Sequence, residues 1–280
     1  MPDETMKVSL IQTNPNTDRD ANLRITRELM ECAIATDSPD LLVLPEYFEF
    51  YGGTLADKLA AAEPLPGGAA YAMVQEVARE HGVYVHAGSL LERIAEDERR
   101  IYNTSVVFDR RGREITRYRK IHMFDITSPD GTAYKESDSV KPGEEVVVYE
   151  LDGFKVGCGI CYDIRFAELF LALADQRVDL IVLPAAFTLQ TGKDHWEVLS
   201  RARAIETQTY FAACGQWGTH FDNGEPRQTF GHSLVCDPWG HVIAKASDGV
   251  GFVTARVDRD VLERTRTSIP IHTHRRLAHH

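Results

Sequence analysis

The stretch DLLVLP at residues 40–45 returns almost unchanged as DLIVLP at residues 179–184. Each copy is a short apolar run between an aspartate and a proline, a pattern that favours a buried strand. Three further pairs match in the same order: residues 7–11 with 155–159, 83–88 with 210–215, and 105–109 with 233–237. Ordered matches of this kind indicate an internal repeat. We therefore expect two similar α/β halves.

Strand-like and helical patterns alternate along the first half. The predicted elements are strands at residues 7–13, 41–44 and 83–87, helices over 22–35 and 69–81, and a hairpin at 102–108 and 114–118. Helices can cover only one face of each sheet, so the two sheets can bury their other faces against each other. This predicts an α/β fold, a four-layer α-β-β-α sandwich, with residues 1–280 as one domain and a catalytic core at about residues 6–270.

The composition is that of a globular, enzyme-sized protein. The 280 residues are 43% hydrophobic, enough to fill a core. With 31 basic and 42 acidic residues the net charge is −11, which disfavours nucleic acid and anionic membranes as partners. The N-terminus lacks the pattern of a secretory signal, and no apolar run is long enough to cross a membrane. Five scattered cysteines favour reduced thiols, so we expect a cytoplasmic protein. The His-rich ending is assigned no function.

Cys161 lies between a predicted strand at residues 154–160 and a predicted helix over 165–174. A thiol at such a turn can be exposed at the carboxyl end of the strand, where helix-start amides would favour a thiolate and bind an oxyanion. A cysteine taken at random is more often a buried core residue. Other residues must therefore decide its role.

Glu46 directly follows the strand of the first repeat, at the position where the second half has Ala185. Its aromatic neighbours at residues 47–51 suggest a partly desolvated pocket, which would raise its pKa towards the range of a general base. Lys120 ends the predicted hairpin and opens a long segment, residues 119–145, that shows no period. Loops of this length are usually functional, and an ammonium group in the same pocket would stabilise both a thiolate and an oxyanion.

Three blocks of the sequence resemble the catalytic blocks of the nitrilase superfamily of carbon-nitrogen hydrolases: residues 44–46, 118–125 and 159–168. They occur in the order of that family, and the similarity extends to residues 237–240. The resemblance implies that Glu46 is the general base, Lys120 the oxyanion-stabilising cation and Cys161 the nucleophile. It also implies that Glu136 orients Lys120 and the substrate.

Within the superfamily, the chain is most similar to the branch that contains omega-amidase and deaminated glutathione amidase. The similarity rests on residues 159–168, 186–188, 191–192, 195–197 and 201–208. The resemblance implies hydrolysis of a small carboxylate-bearing primary amide, through a cysteine thioester, to an acid and ammonia, with no metal or other cofactor. One alternative is a nitrilase or an N-carbamoyl amide hydrolase with the same three residues. An alternative of another class is a catalytically silent interaction protein on this fold.

Five residues are candidate substrate contacts: Tyr162, Arg165, His122, Phe187 and Thr188. The Tyr162 backbone amide would join Lys120 in stabilising the oxyanion. Arg165 would either receive a substrate carboxylate or form an ion pair with Asp163 that steadies the turn. The expected partners are the amide substrate, water and a second copy of the chain, because the family often dimerises through helices in the region of residues 196–205.

Two other interpretations remain open from the sequence. Cys158 and Cys161 form a Cys-x-x-Cys pair, which occurs in redox sites and in halves of zinc sites, but no second pair completes a zinc site. His86, His122 or His195 could instead serve as the base for Cys161. We favour Glu46 because it already fills that role.

Overall fold

The computed structural model describes residues 4–128 and 131–277. The strands are β1 (Thr5–Gln12), β2 (Leu41–Val43), β3 (Tyr84–His86), β4 (Leu90–Arg93), β5 (Ile101–Phe108), β6 (Glu114–Arg119), β7 (Asp125–Thr127), β8 (Ala133–Lys135), β9 (Val148–Leu151), β10 (Phe154–Cys158), β11 (Leu180–Ala185), β12 (Tyr210–Gly215), β13 (Trp217–Asp222), β14 (Glu225–Phe230), β15 (Leu234–Cys236), β16 (Val242–Lys245) and β17 (Gly251–Asp258). The helices are α1 (Arg19–Asp37), α2 (Leu55–Ala61), α3 (Ala69–His81), α4 (Ala167–Asp175), α5 (Leu189–Thr191), α6 (Glu197–Thr207), α7 (Arg259–Ser268) and α8 (Ile271–His274). The ends of the predicted single domain and of the His-rich tail, residues 1–3 and 278–280, lie outside the described residues.

The strands form two large sheets with the same internal order. The first sheet runs β17-β1-β2-β3-β5-β4, with β6 also paired to β5, and the second runs β16-β15-β12-β11-β10-β9. In the first sheet β1, β2 and β3 are parallel and β5 is antiparallel to β3. In the second sheet β10, β11 and β12 are parallel and β15 is antiparallel to β12. The predicted repeat of two α/β halves is therefore confirmed by the strand pairing.

The aspartate at the start of each repeat has the same structural role in both halves. The Lys7 amide donates to Asp40 Oδ2 at 2.9 Å, and the Lys155 amide donates to Asp179 Oδ2 at 3.0 Å. In each half the aspartate thus satisfies a backbone amide of the neighbouring strand just before its own strand begins. The repeat extends from the sequence to individual hydrogen bonds.

Alternate side chains of the β2 region face opposite layers of the molecule, as expected for a strand. Leu41 and Val43 belong to the cluster that contains the second sheet, whereas Leu42 and Leu44 pack into the cluster formed with α1 and α3. On the far side, Leu173 of α4 and its neighbours cover the second sheet. The order is helices, sheet, sheet, helices, so the predicted α-β-β-α sandwich is confirmed.

Two short hairpins lie outside these sheets, β7–β8 and β13–β14. The first falls in residues 119–145, where the sequence predicts an irregular loop. That prediction is wrong in part: β7 and β8 pair over three residues each, and a 3-10 turn follows at Glu136–Asp138. Strands of three residues are too short to produce a readable period. Among the helices of residues 4–128 and 131–277, none combines the length and the apolar character needed to cross a membrane.

Candidate active site

Three side chains predicted to act together meet at one edge of the sandwich. Glu46 follows β2, Lys120 follows β6, and Cys161 begins a 3-10 turn, Cys161–Arg165, shortly after β10. Lys120 Nζ donates to Glu46 Oε1 at 3.0 Å, and the Cys161 thiol lies close enough to both groups for their charges to act on its pKa. The repeat helps to explain the meeting. β10 is the counterpart of β1, which is the parallel neighbour of β2, and the residues that follow β2 and β10 lie at the same edge of the sandwich.

The Glu46 carboxylate is held in one orientation by hydrogen bonds to both of its oxygens. Besides Lys120, Asn103 Nδ2 donates to Oε1 at 2.8 Å, and the Ala186 amide donates to Oε2 at 2.8 Å. The side chain is buried. A buried carboxylate with several donors stays oriented towards its neighbours, here towards the Cys161 sulfur.

Lys120 is buried between two carboxylates. Its Nζ lies 2.9 Å from each oxygen of Glu136 and 3.0 Å from Glu46. Burial by itself lowers the pKa of Lys120, but the charges of Glu136 and Glu46 outweigh it and raise that pKa well above its ordinary value. The side chain is therefore an ammonium. Glu136 is itself held by the Phe124 amide, which donates to Oε2 at 2.6 Å.

Cys161 adopts a backbone conformation that is rare for a residue with a side chain, with φ of 49°. Its sulfur is buried, and burial followed by the charge of Glu46 raises the pKa of the thiol well above its usual value, although Lys120 lowers it. The expectation of a thiolate favoured by helix-start amides is therefore wrong. The turn after Cys161 is a 3-10 turn, α4 begins only at Ala167, and the resting sulfur is a thiol.

Asp163 organises the turn that carries the cysteine. Its Oδ2 accepts hydrogen bonds from Tyr118 Oη at 2.7 Å and from the Ile160 amide at 2.8 Å. Its Oδ1 accepts from the His122 amide at 3.0 Å and lies 2.7 Å from His122 Nδ1. The carboxylate is fully buried and forms no ion pair with Arg165 within the described ranges, so the proposed Asp163–Arg165 pair is wrong.

A cavity of about 390 Å³ opens onto this cluster. Its walls include seven of the nine predicted site residues: Glu46, Lys120, Glu136, Cys161, Tyr162, Phe187 and Thr188. The other two, His122 and Arg165, do not line it. The His122 ring stacks on Phe166 at 3.7 Å and is held by Asp163, which corrects its expected place in the pocket wall.

Arg165 lies just behind the cavity wall. Its guanidinium carbon is 5.8 Å from the ring centre of Tyr162 and 5.2 Å from that of Phe187. Its Nη1 is 3.3 Å from His195 Nδ1. The guanidinium therefore lies over two rings that line the cavity. A change of the Arg165 rotamer would bring it to the cavity itself.

The alternative bases and the Cys-x-x-Cys reading find no support in the geometry. His86 is fully buried against Tyr149 at 2.9 Å, and burial lowers its pKa to about 3. Like His122 and His195, it does not line the cavity. Cys158 is buried within β10 in the core between the layers. In the part of the chain that the structure describes, no group of three or more His, Cys, Asp or Glu side chains could hold a metal ion.

Sequence reasoning missed two residues that shape the site, Asn103 and Asp163. Asn103 lies beside Thr104 and Ser105 in β5, and a carboxamide in a buried strand needs a hydrogen-bond partner, which is a signal that the sequence offers. Asp163 was noticed but assigned to Arg165, its neighbour on the same turn. Besides the Ile160 amide, its partners are Tyr118 and His122 of a distant segment, which no local spacing could indicate.

A buried thiol, an oriented carboxylate and a buried ammonium at one edge of a four-layer sandwich are the groups that a cysteine-dependent hydrolase requires. The model of the carbon-nitrogen hydrolase family matches residues 7–267, and the chain belongs to that family. The predicted family, the α/β sandwich and the class of hydrolase acting on non-peptide carbon-nitrogen bonds are confirmed.

Relatives of known name support the same placement. The chain is 39% identical over 272 residues to human deaminated glutathione amidase, covering 96% of this chain and 82% of that protein. It is 38% identical over 271 residues to omega-amidase NIT2-A of Xenopus laevis, covering 96% and 95%. The crystal structure of the C. elegans NitFhit protein superposes with a TM-score of 0.89 at 33% identity, over 99% of this chain and 66% of that longer chain.

Proposed function

We propose that the protein is an amidase that hydrolyses a small, carboxylate-bearing primary amide to an acid and ammonia through a thioester on Cys161. The observation that carries the proposal is that Cys161, Lys120 and a buried carboxylate, Glu46, line one cavity, where Lys120 is hydrogen-bonded to Glu46 and the charges of both act on the thiol. The names of the relatives, deaminated glutathione amidase and omega-amidase, favour an omega-amide of a keto acid or a deaminated glutathione-like compound.

In the acylation half, Glu46 accepts the proton of the Cys161 thiol as the sulfur attacks the amide carbonyl carbon. Proton transfer must accompany the attack because the raised pKa of the thiol keeps it protonated at rest. The electron pair of the carbonyl bond moves to oxygen. The Lys120 ammonium and the Tyr162 backbone amide stabilise that oxyanion.

Collapse of the tetrahedral adduct breaks the carbon-nitrogen bond. The proton held by Glu46 passes to nitrogen, ammonia leaves, and the acyl group remains on Cys161 as a thioester. Glu46 then takes a proton from water, whose oxygen attacks the thioester carbon, and the departing sulfur recovers the proton. Glu136 keeps the ammonium of Lys120 in place throughout both halves.

Arg165 is proposed to bind the substrate carboxylate, turning towards the cavity from its place over Tyr162 and Phe187. Lysine cannot reproduce the two parallel hydrogen bonds that a guanidinium makes to a carboxylate. Arg165→Lys should therefore raise KM for carboxylated amides about tenfold, with little effect on uncharged amides. Equal losses for both kinds of amide would leave Arg165 with a purely structural role.

The proposed activity is tested by measuring ammonia release from a panel of small amides and the corresponding nitriles, with the Cys161→Ser variant as the control. We expect carboxylated amides to be the best substrates and the variant to be inactive. If nitriles were hydrolysed with kcat/KM above every carboxylated amide, the protein would be a nitrilase. If no compound were turned over, the silent interaction protein would be favoured.

We further infer that the catalytic core, about residues 6–270, acts as one unit. We also infer that the protein forms a homodimer or higher homo-oligomer and that it is cytoplasmic. Val198 and Ile205, seven residues apart on α6, are exposed, as is Trp239, and together they suggest a contact surface for a second copy. Five free cysteines suit a reducing compartment. Sedimentation of the wild type and of Val198→Asp would test the oligomeric state, and cell fractionation would test the location.

A further inference from the structure

The outer wall of the cavity includes a face of the β13–β14 hairpin. His220 of β13 is paired with Arg227 of β14, so both side chains lie on one face, and both line the cavity. The hairpin is fixed to the rest of the site by backbone hydrogen bonds. The Gly53 amide donates to the Phe221 carbonyl at 2.8 Å, and the Phe230 amide donates to the Phe187 carbonyl at 2.8 Å.

Arg227 differs from the other cationic side chains that line the cavity. Lys58 is paired with Asp222 at 2.9 Å, Lys120 is paired as described above, and Lys135 is exposed to solvent. Arg227 is partly buried, and within residues 4–128 and 131–277 it forms no ion pair. Among the described residues it is therefore a charge placed at the cavity without a compensating carboxylate.

The hydrogen bonds of Arg227 leave one side of its guanidinium unused. Its Nη1 donates to Thr132 Oγ1 at 3.3 Å, and its carbon lies 5.9 Å from the ring centre of Tyr134. Its Nε is buried and has no hydrogen-bond partner within the described part of the chain. A buried donor without a partner is costly. The unused Nε and Nη2 are the pair of donors that matches the two oxygens of a carboxylate.

His220 adds a second unsatisfied atom to the same face. Its Nδ1 is buried and without a partner among the described residues. Burial lowers the pKa of His220 to about 4; Asp222 opposes the shift, and Lys58 and Arg227 reinforce it. At neutral pH the ring is therefore uncharged, and the charge of this face comes from Arg227. An anion bound there would satisfy the guanidinium.

We propose that Arg227 is a specificity residue that binds a second substrate carboxylate, distinct from the one assigned to Arg165. The inference rests on the proposed amidase function and narrows its substrate class to amides with two carboxylates. Such a carboxylate has two sources: the acyl chain that becomes the thioester, or the amine portion that leaves. A substrate of the second kind is a secondary amide whose amine carries the carboxylate; it releases that amine in place of the ammonia released by the primary amides proposed above.

Four probes separate these sources. Succinamic acid carries one carboxylate, the monoamide of propane-1,2,3-tricarboxylic acid adds one on the acyl chain, and N-succinylglycine adds one on the amine. N-Succinylglycinamide replaces that last carboxylate with a neutral amide. Release of amine or ammonia is measured for the wild type, Arg227→Gln, Arg227→Lys and the control Arg24→Gln, which removes the same charge from the surface of α1.

We expect Arg227→Gln to raise KM about tenfold or more for one of the two probes with an added carboxylate, with kcat and the KM for succinamic acid changed less than about threefold. For the affected probe, Arg227→Lys should give a KM between those of the wild type and Arg227→Gln, and Arg24→Gln should give the wild-type KM. Equal losses on all four probes, or no loss on any, would overturn the proposal. Turnover of succinamic acid by the wild type tests the amidase function separately, so the two failures are distinguishable.

Discussion

Lys120 is a single ammonium shared by two carboxylates, Glu46 and Glu136. The two neighbours have different surroundings. The charge of Glu46 also acts on the Cys161 thiol, whereas Glu136 is held by the Phe124 amide and lies 3.4 Å from Tyr47 Oη. These surroundings support the proposal that Glu46 moves a proton to and from the sulfur while Glu136 keeps the cation charged and in place.

Glu136→Gln tests this division of work. The variant keeps the shape of the side chain but removes the largest charge that raises the pKa of Lys120. We expect kcat to fall roughly a hundredfold, with a smaller change in KM, because the oxyanion loses a fixed cation. Asp138→Asn, on the same 3-10 turn, is the matched control and should stay within about threefold. Equal effects of the two substitutions on steady-state kinetics would contradict the assignment.

At the scale of single residues, the sequence indicated which side chains meet but not whether the Cys161 thiol is protonated. Glu46, Lys120 and Cys161 stand at the ends of strands, where repeat and motif both place them together. The pKa of the thiol depends on burial by distant segments and on the charge of Glu46, and neither effect is visible in the local sequence. The same limit hid the partners of Asp163.

The β13–β14 hairpin depends on a close approach of two backbones. Gly52 has φ of 90°, and a Cβ added there would lie 2.3 Å from the Phe221 carbonyl oxygen. Glycine is needed for both its conformation and its lack of a side chain. Gly224, at the tip of the hairpin, has φ of 82° but has open space around it.

Gly52→Ala and Gly224→Ala form a matched pair. Both force an alanine into a left-handed conformation, at a cost of about 1 kcal/mol, but only Gly52→Ala also pushes the hairpin away. We expect Gly52→Ala to lose a further 1–3 kcal/mol, roughly, in the free energy of unfolding and to raise KM. Thermal unfolding and steady-state kinetics give the comparison. Equal losses of unfolding free energy in both variants would show that the close contact at Gly52 does not contribute to stability.

At the scale of elements, the long apolar runs were predictable and the short strands were not. The helix predicted over residues 69–81 has the bounds of α3, and the runs at residues 40–45 and 179–184 contain β2 and most of β11. Both runs are buried on two faces, which leaves a clear signal. β7 and β8 have three residues each, and their pairing depends on the segment packed around Glu136.

At the scale of the molecule, one buried carboxylate sets a pH dependence of stability. Glu49 accepts a hydrogen bond from the Leu91 amide at 2.7 Å, while its Oε2 is buried without a partner among the described residues. Burial raises its pKa from 4.5 to about 7. The folded protein therefore holds this proton over a range in which the unfolded chain has lost it.

The free energy of unfolding should fall as the pH rises from about 4.5 to about 7, because Glu49 must then ionise while buried. The contribution is roughly 2–4 kcal/mol and is constant above that range. Glu49→Gln removes it, so the loss of unfolding free energy between pH 5 and pH 8 should shrink in the variant. Urea titrations at the two pH values measure the difference. An unchanged loss would mean that Glu49 ionises normally in the folded protein.

Both sheets contribute to the site: the first half supplies the proposed base, Glu46, and the cation, and the second half supplies the proposed nucleophile, Cys161. Their cooperation requires that the acyl group of the substrate pass through Cys161. Glu46→Gln should slow hydrolysis of the thioester by removing the base that activates water, and so accumulate it. The glutamine cannot accept the thiol proton, which must then pass to water, so acylation is slowed as well and incubation with excess amide is needed.

Mass spectrometry of Glu46→Gln after incubation with a carboxylated amide is the direct test. We expect a mass increase equal to the acyl group, located on the peptide that contains Cys161, lost on treatment with hydroxylamine and absent from the double variant with Cys161→Ser. Rapid-quench samples of the wild type should show the same adduct at early times. Turnover by the wild type with no adduct, or an adduct on another residue, would contradict nucleophilic attack by Cys161.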